Sequence, residues 1–305
     1  KNWRTSLLDP EVRRPRPWWP LVVTVVAGAA VMATVLGQGD PSRTNGPGTA
    51  DTLEAATASA AGVELSCVDA PSRCGYPDAT NSGVPSGTPL VGVPSSVSAG
   101  DGWRVHPDGW LEIHSDGAVL QRIVTDLPVQ VMADDVLIRE VVITAEGDVA
   151  GIGLRGAEGT TIESSTIGPP DGTQRLKYGI QDVDGNARLT RIIGNEILGV
   201  ATAIAVHEGV VAENYVHGLR AAGDDHVNGI VSNGSTQPLS IRGNTVLNPL
   251  DQTDAVALFQ DFGVEANTTV TGNLLAGGSY SLYAGGPREG GPLSPQNDRK
   301  WRMFL

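Results

Sequence analysis

The stretch LTRIIGNEIL, Leu189 to Leu198, alternates apolar and polar residues, breaks at Gly194-Asn195 and resumes with another apolar pair. Alternation with a period of two is the signature of a strand rather than a helix. The pattern recurs. Downstream lie VVAENYV from Val210, LSIRGNTVL from Leu239 and TTVTGNLLA from Thr268; upstream lie VLIREVVIT from Val136 and TTIESSTIG from Thr160. One slot is Asn in four of the six segments, at Asn195, Asn214, Asn244 and Asn273, and is filled by Val141 and Ser165 in the other two. Aligned on that slot, the spacings are 24, 30, 19, 30 and 29 residues.

Repeats of this length, Val- and Ile-rich and of irregular spacing, suit short strands joined by turns of changing length and not a helical hairpin array. They predict a parallel β-solenoid in which each coil adds one rung to each sheet. The Asn slot has a physical reason. A sharp corner between strands favours a residue that tolerates unusual φ and ψ, and stacked inward amides can satisfy one another from rung to rung.

Composition agrees. Of 305 residues, 40% are apolar but only 5% aromatic, with 39 Gly and 20 Pro, which suits a core of small and branched side chains. The formal net charge of -13 argues against a nucleic-acid partner, because affinity for phosphate backbones comes from clustered Lys and Arg. Residues 1–16 are basic, and residues 17–39, PWWPLVVTVVAGAAVMATVLGQG, carry no charge. At about 1.5 Å rise per residue such a stretch spans roughly the 30 Å of a bilayer's hydrocarbon. With Trp18 and Trp19 at its edge and cations before it, it reads as a single-pass transmembrane signal anchor that leaves the rest of the chain outside the cell. A cleaved signal peptide is the alternative and leads to secretion. Residues 40–66, poor in large apolar side chains, read as a disordered, flexible linker. Residues 67–286 form the expected folded domain, and 287–305 an irregular, truncated-looking tail. Cys67 and Cys74, with six residues between them, lack the spacing of a zinc site and are expected to form a disulfide in an exported chain.

The segment CGYPDATNSGVPSG, Cys74 to Gly87, followed by the coils down to NLLAGGSYSLYAGG at Gly286, resembles a family of exported bacterial right-handed parallel β-helix proteins. The resemblance covers about 210 residues. It implies an all-β, single-stranded, right-handed parallel β-helix of the pectin- and pectate-lyase type, and an extracellular setting. It implies no particular reaction, since one fold serves many functions. With 18 Arg and 3 Lys the chain also looks like the product of a high-GC bacterial genome.

If the Asn corner precedes the groove-lining strand, that strand begins near Tyr178, Ala203, His226, Asp254 and Tyr280. At rungs about 4.8 Å apart, His226 and Asp254 would be neighbours and Lys177 would lie roughly two rungs away. The loop from Gly218 to Gly229 adds Arg220, Asp224 and Asp225 to the same edge. A polysaccharide lyase would use Asp224, Asp225 and Asp254 to hold Ca²⁺, with Lys177, Arg220 or His226 as base. A glycoside hydrolase would instead pair Asp225 with Asp254. Tyr178, Phe259, Tyr280 and Tyr283 could stack on sugars. Solvated loop residues with no catalytic part are the plain alternative. His226-Val227-Asn228-Gly229-Ile230 resembles an HxDGI motif of related β-helices with Asn228 in place of Asp, a loss that weakens the enzymatic reading. An acidic body also repels an anionic polysaccharide unless Ca²⁺ bridges them, which favours a neutral glycan or a metal-assisted mode. The function expected is therefore polysaccharide cleavage of lyase or hydrolase type, or non-catalytic binding of a cell-surface glycan as an adhesion module. The expected state is monomeric.

Overall fold

The computed structural model describes residues 66–170, 174–251, 253–284 and the backbone of 303–304. The chain winds through three sheets, one strand per coil in each. Arg191–Ile193 is followed by Glu196–Leu198, then Val200–Ala205, and the chain returns one rung further along as Gly209–Ala212. Sheet 1 has eight strands from Val91–Val93 to Leu274–Gly277, and sheet 2 has ten from Ala99–Gly100 to Tyr280–Ala284. Sheet 3 has eight from Val119–Gln121 to Met303–Phe304. Pairing between these strands is parallel except at the start of sheet 2, where Trp103–His106 runs antiparallel to both of its neighbours. The architecture is a right-handed parallel β-solenoid. The anchor expected at 17–39 and most of the linker and tail lie outside the described residues. Among the described residues no helix is long and apolar enough to cross a membrane.

Register explains why the apolar pattern repeats. In sheet 3 Leu120, Ile138, Ile162, Ile192, Val211, Ile241 and Val270 stand directly above one another. Sheet 1 stacks Ile143, Ile167, Ile197, Val216 and Val246 in the same way. These columns meet in one core and are shielded from water. Each such side chain contributes about 2–3 kcal/mol by leaving water, so one apolar residue per strand suffices when every strand repeats it.

The corner between sheets 3 and 1 differs in detail from the sequence reading. The left-handed backbone falls on the residue before each Asn: Gly194, Glu213, Gly243 and Gly272 have φ of 65°, 58°, 64° and 59°. Glu140 and Ser164 do the same before Val141 and Ser165. Asn serves as a hydrogen-bonding post and the preceding residue makes the bend. The amides form a continuous ladder. The backbone N–H and Nδ2 of Asn195 both donate to Asn214 Oδ1, at 2.9 and 3.0 Å, and Asn214 repeats this towards Asn244 at 3.0 and 2.9 Å. Asn244 does so towards Asn273 at 2.9 Å in each bond. Each Nδ2 also donates to a strand carbonyl, as Asn214 does to Ile192 at 2.9 Å. Ser165 extends the ladder by donating its backbone N–H to Asn195 Oδ1.

The segment after the Cys67–Cys74 disulfide crosses this corner from outside. Gly83 donates to the carbonyl of Gly194 at 2.9 Å, and Val84 to Thr166 Oγ1 at 3.1 Å. A Cβ at Gly83 would meet Thr166 Oγ1 at 2.6 Å, and its φ is +72°, so glycine is required for this close approach.

Candidate functional site

Sheet 2 positions the site by an irregular alternation. In each rung two successive residues face inward, a small one and a branched one: Gly179-Ile180, Ala203-Ile204, Gly229-Ile230 and Ala255-Val256. The small residue is needed because the neighbouring rung is close; a Cβ on Gly179 would stand 2.5 Å from the carbonyl of Ala203. The residues flanking this inward pair point outward and form two columns. One contains Tyr178, Thr202, Asn228, Asp254 and Tyr280. The other contains Gln181, Ala205, Val231, Ala257 and Tyr283.

A groove with a volume of about 1320 Å³ lies over these columns. Ala205 and Val231 form its apolar floor, backed by the fully buried Ala257, with Tyr178 and Phe259 packed against this cluster. Phe259 and Tyr283 are 5.4 Å apart between ring centroids, and Tyr283 and Tyr280 are 5.7 Å apart, both pairs tilted. Tyr280 is 60% exposed and points outward. The exposed Phe262 also lines the groove.

The ionisable residues expected to converge do so only in part. His226 is exposed on the rim, two residues short of the column; Asn228, not His226, holds the place beside Asp254. The expectation assumed that the strand begins at His226, whereas it spans Asn228–Ser232. Asp225 is committed elsewhere. Its Oδ2 accepts from Arg175 Nε at 2.5 Å and from the backbone N–H of Ala222 at 3.0 Å, and Arg175 also reaches Asp148 at 2.7 Å. The guanidinium holds the Asp225 carboxyl below its ordinary range, against the opposing effect of burial. A carboxylate so engaged is neither a free cation ligand nor a free acid. Asp224 is exposed on the loop. Arg220 donates to the carbonyl of Pro170 at 3.4 Å and does not line the groove. Lys177 lines it, half-buried. Among the described residues no group of three or more His, Cys, Asp or Glu is placed to hold a metal ion, so Asp224, Asp225 and Asp254 do not assemble the Ca²⁺ site considered above.

Asp254 is the exception in this wall. It is 4% exposed, and burial pushes its carboxyl up, opposed by a hydrogen bond from the backbone N–H of Tyr280. Among the described residues its Oδ1 meets no donor, and neither does the Oδ1 of Asn228.

The opposite wall holds residues that the sequence did not single out as a site. Asp182 is buried, which pushes its carboxyl up, while the backbone N–H groups of Ala187 and Asn186 donate to it at 3.2 Å. The segment Asp182 to Asn186 is thus a turn organised around its first carboxylate. His207 Nδ1 accepts from the backbone N–H of Asn233 at 3.3 Å and lies 3.4 Å from Ser232 Oγ. Ser232 in turn donates to the buried Glu265 at 2.7 Å, which also accepts from Ser235 N–H and Thr268 Oγ1. His207 could be found only from the register, since nothing local to it in the sequence marks a site.

Comparison with protein-family models finds no match, and neither does a search of curated proteins or of solved structures. The fold and the groove define the chain as a parallel β-solenoid with an aromatic-edged groove along its ten-stranded sheet.

Proposed function

We propose that the groove binds a neutral glycan without cleaving it, as a surface-adhesion or recognition module. The observation that carries this reading is the pairing of an apolar, aromatic-edged floor with a wall in which the described residues assemble no catalytic set. Sugars present C–H faces that pack on aromatic rings and hydroxyls that need polar partners, and both are on offer. The groove is lined by six Asp, one Lys and two His, a balance that repels uronates and sulfated chains. A lyase would need a cation site or free base facing a uronate. A hydrolase would need two free carboxylates about 5 to 10 Å apart. Asp182 and Asp254, the buried pair, stand three rungs and four strand positions apart, roughly 20 Å, and Asp225 is held by Arg175. On this reading the uncharged stretch at 17–39 tethers the groove to the outside of a cell membrane, with secretion as the alternative.

The test is binding of the full chain to immobilised neutral and acidic polysaccharides, combined with sizing of each polymer after prolonged incubation. Retention of neutral polymers with unchanged chain length supports the reading. New reducing ends or unsaturated products would replace it with an enzyme.

A further inference from the structure

Two oxygens in the groove wall lack what a buried polar atom requires. Asn228 is 5% exposed and Asp254 4%, they occupy the same column on neighbouring rungs, both line the groove, and the Oδ1 of each meets no donor. Buried acceptors are almost always paired, and both side chains line the groove, so a rotation that turns each closed-off Oδ1 to the groove would let a ligand supply the missing donors. The neighbours make no claim on them. The Asn248 amide donates to the carbonyls of Val227 and Asp254, Thr253 Oγ1 donates to Val227, and Thr202 Oγ1 donates to the carbonyl of His226. All three spend their protons on the backbone.

The spacing selects the donor. Neighbouring rungs are about 4.8 Å apart, and two O–H groups on adjacent ring carbons, themselves roughly 3 Å apart, can fork outward to acceptors at that separation. A divalent cation is a poorer occupant, because one carboxylate and one amide oxygen fall well short of the six to eight oxygens that Ca²⁺ takes. The next residue in the column is Tyr280, exposed and joined to the Tyr283 and Phe259 rings. Acceptors beside an aromatic platform match a sugar ring that stacks by its C–H face and donates from its edge.

We infer that Asn228 and Asp254 form a subsite for the vicinal diol of a neutral sugar residue. The inference rests on the glycan-binding reading and adds the group recognised and the residues that recognise it. It also gives Asn228 a part: an Asp there would place a second carboxylate beside the first and favour a cation over a diol.

The experiment titrates the full chain, by calorimetry, with cello-, manno- and malto-hexaose in EDTA, each native and after periodate oxidation, which cleaves vicinal diols. The wild type is expected to bind at least one native hexaose and to lose tenfold or more on its oxidised form. Asp254→Leu and Asn228→Leu are each expected to weaken native binding about 10-fold or more, as loss of hydrogen bonds to a charged and a neutral acceptor implies. Thermal melts show that each variant is folded, and a variant that fails to fold leaves the decision to the other and to the periodate comparison. Equal binding of native and oxidised hexaose, or wild-type affinity in a folded variant, overturns the diol subsite and leaves glycan binding standing. Binding that requires added Ca²⁺ overturns the subsite in favour of a cation. If no native hexaose binds, the glycan reading falls and the subsite with it.

Discussion

Asp254 and Asp78 stand on opposite sides of the ordinary carboxylate range. Burial pushes Asp254 up from 3.8, so folded protein holds this proton more tightly than unfolded chain. Its ionised form therefore costs stability at neutral pH, and the cost is relieved as the pH falls through the raised value towards 3.8. Asp254→Asn is expected to raise the melting temperature at pH 7, with the gain vanishing below about pH 4; equal melting curves at both pH values would contradict the assignment. Burial also opposes ionisation of Asp78, but bonds from Ser72 and Thr80 outweigh it and hold the carboxyl down to about 2. Its contribution is present above the ordinary carboxylate value and is lost as the pH falls from about 4 to about 2. Arg175 is a further residue-scale test. Truncation to Ala leaves Asp225 without its cation in a setting where both side chains are about nine-tenths buried, at a cost of about 3 kcal/mol by denaturant titration. Ordering of the loop over the groove should fall with it.

At the scale of the strand and corner, stability rests on repetition. Replacing Asn214 by Ala removes donors to Ile192 and Asn244 and leaves Asn195 without its acceptor, all in a site closed to water. A loss of about 2–4 kcal/mol is expected from unfolding curves, since each stranded polar group costs about 1–3 kcal/mol. Glu213→Gly runs the other way. Its φ of 58° is strained for a side chain, and its ion pair with Arg242 at 3.3 Å is exposed, so glycine should stabilise by up to about 1 kcal/mol. These corners also mark where the sequence was readable. The Asn column could be aligned by eye because hydrogen bonding to identical neighbours demands the same residue at the same place. The bend beside it accepts Gly, Glu or Ser, and so left no pattern to follow.

Across the whole molecule, the legible features were those that recur in every coil, and the illegible ones depend on residues brought together from different coils. Apolar alternation and the corner amides announced a solenoid. The groove strand was misplaced by two residues at His226 because the loop before it runs on to Val227 and the strand begins only at Asn228, a boundary that the alternation does not mark. Arg175 and Asp225 meet across 50 residues of sequence, as Ser232 and Glu265 do across 33, and neither contact has a local signal. The aromatic edge, by contrast, was visible in Tyr178, Phe259, Tyr280 and Tyr283, which line the groove together.

The central claim is that the groove over Ala205 and Val231 is where a neutral glycan binds. Ala205→Trp places a bulky ring on its floor while leaving the inward core columns untouched. The most direct measurement is the affinity of the wild-type chain and of this variant for the polysaccharide that the wild type retains, with melting curves recorded in parallel. The account predicts at least a tenfold loss of affinity with little change in melting temperature. Undiminished binding by a folded Ala205→Trp variant would place the glycan elsewhere and contradict it.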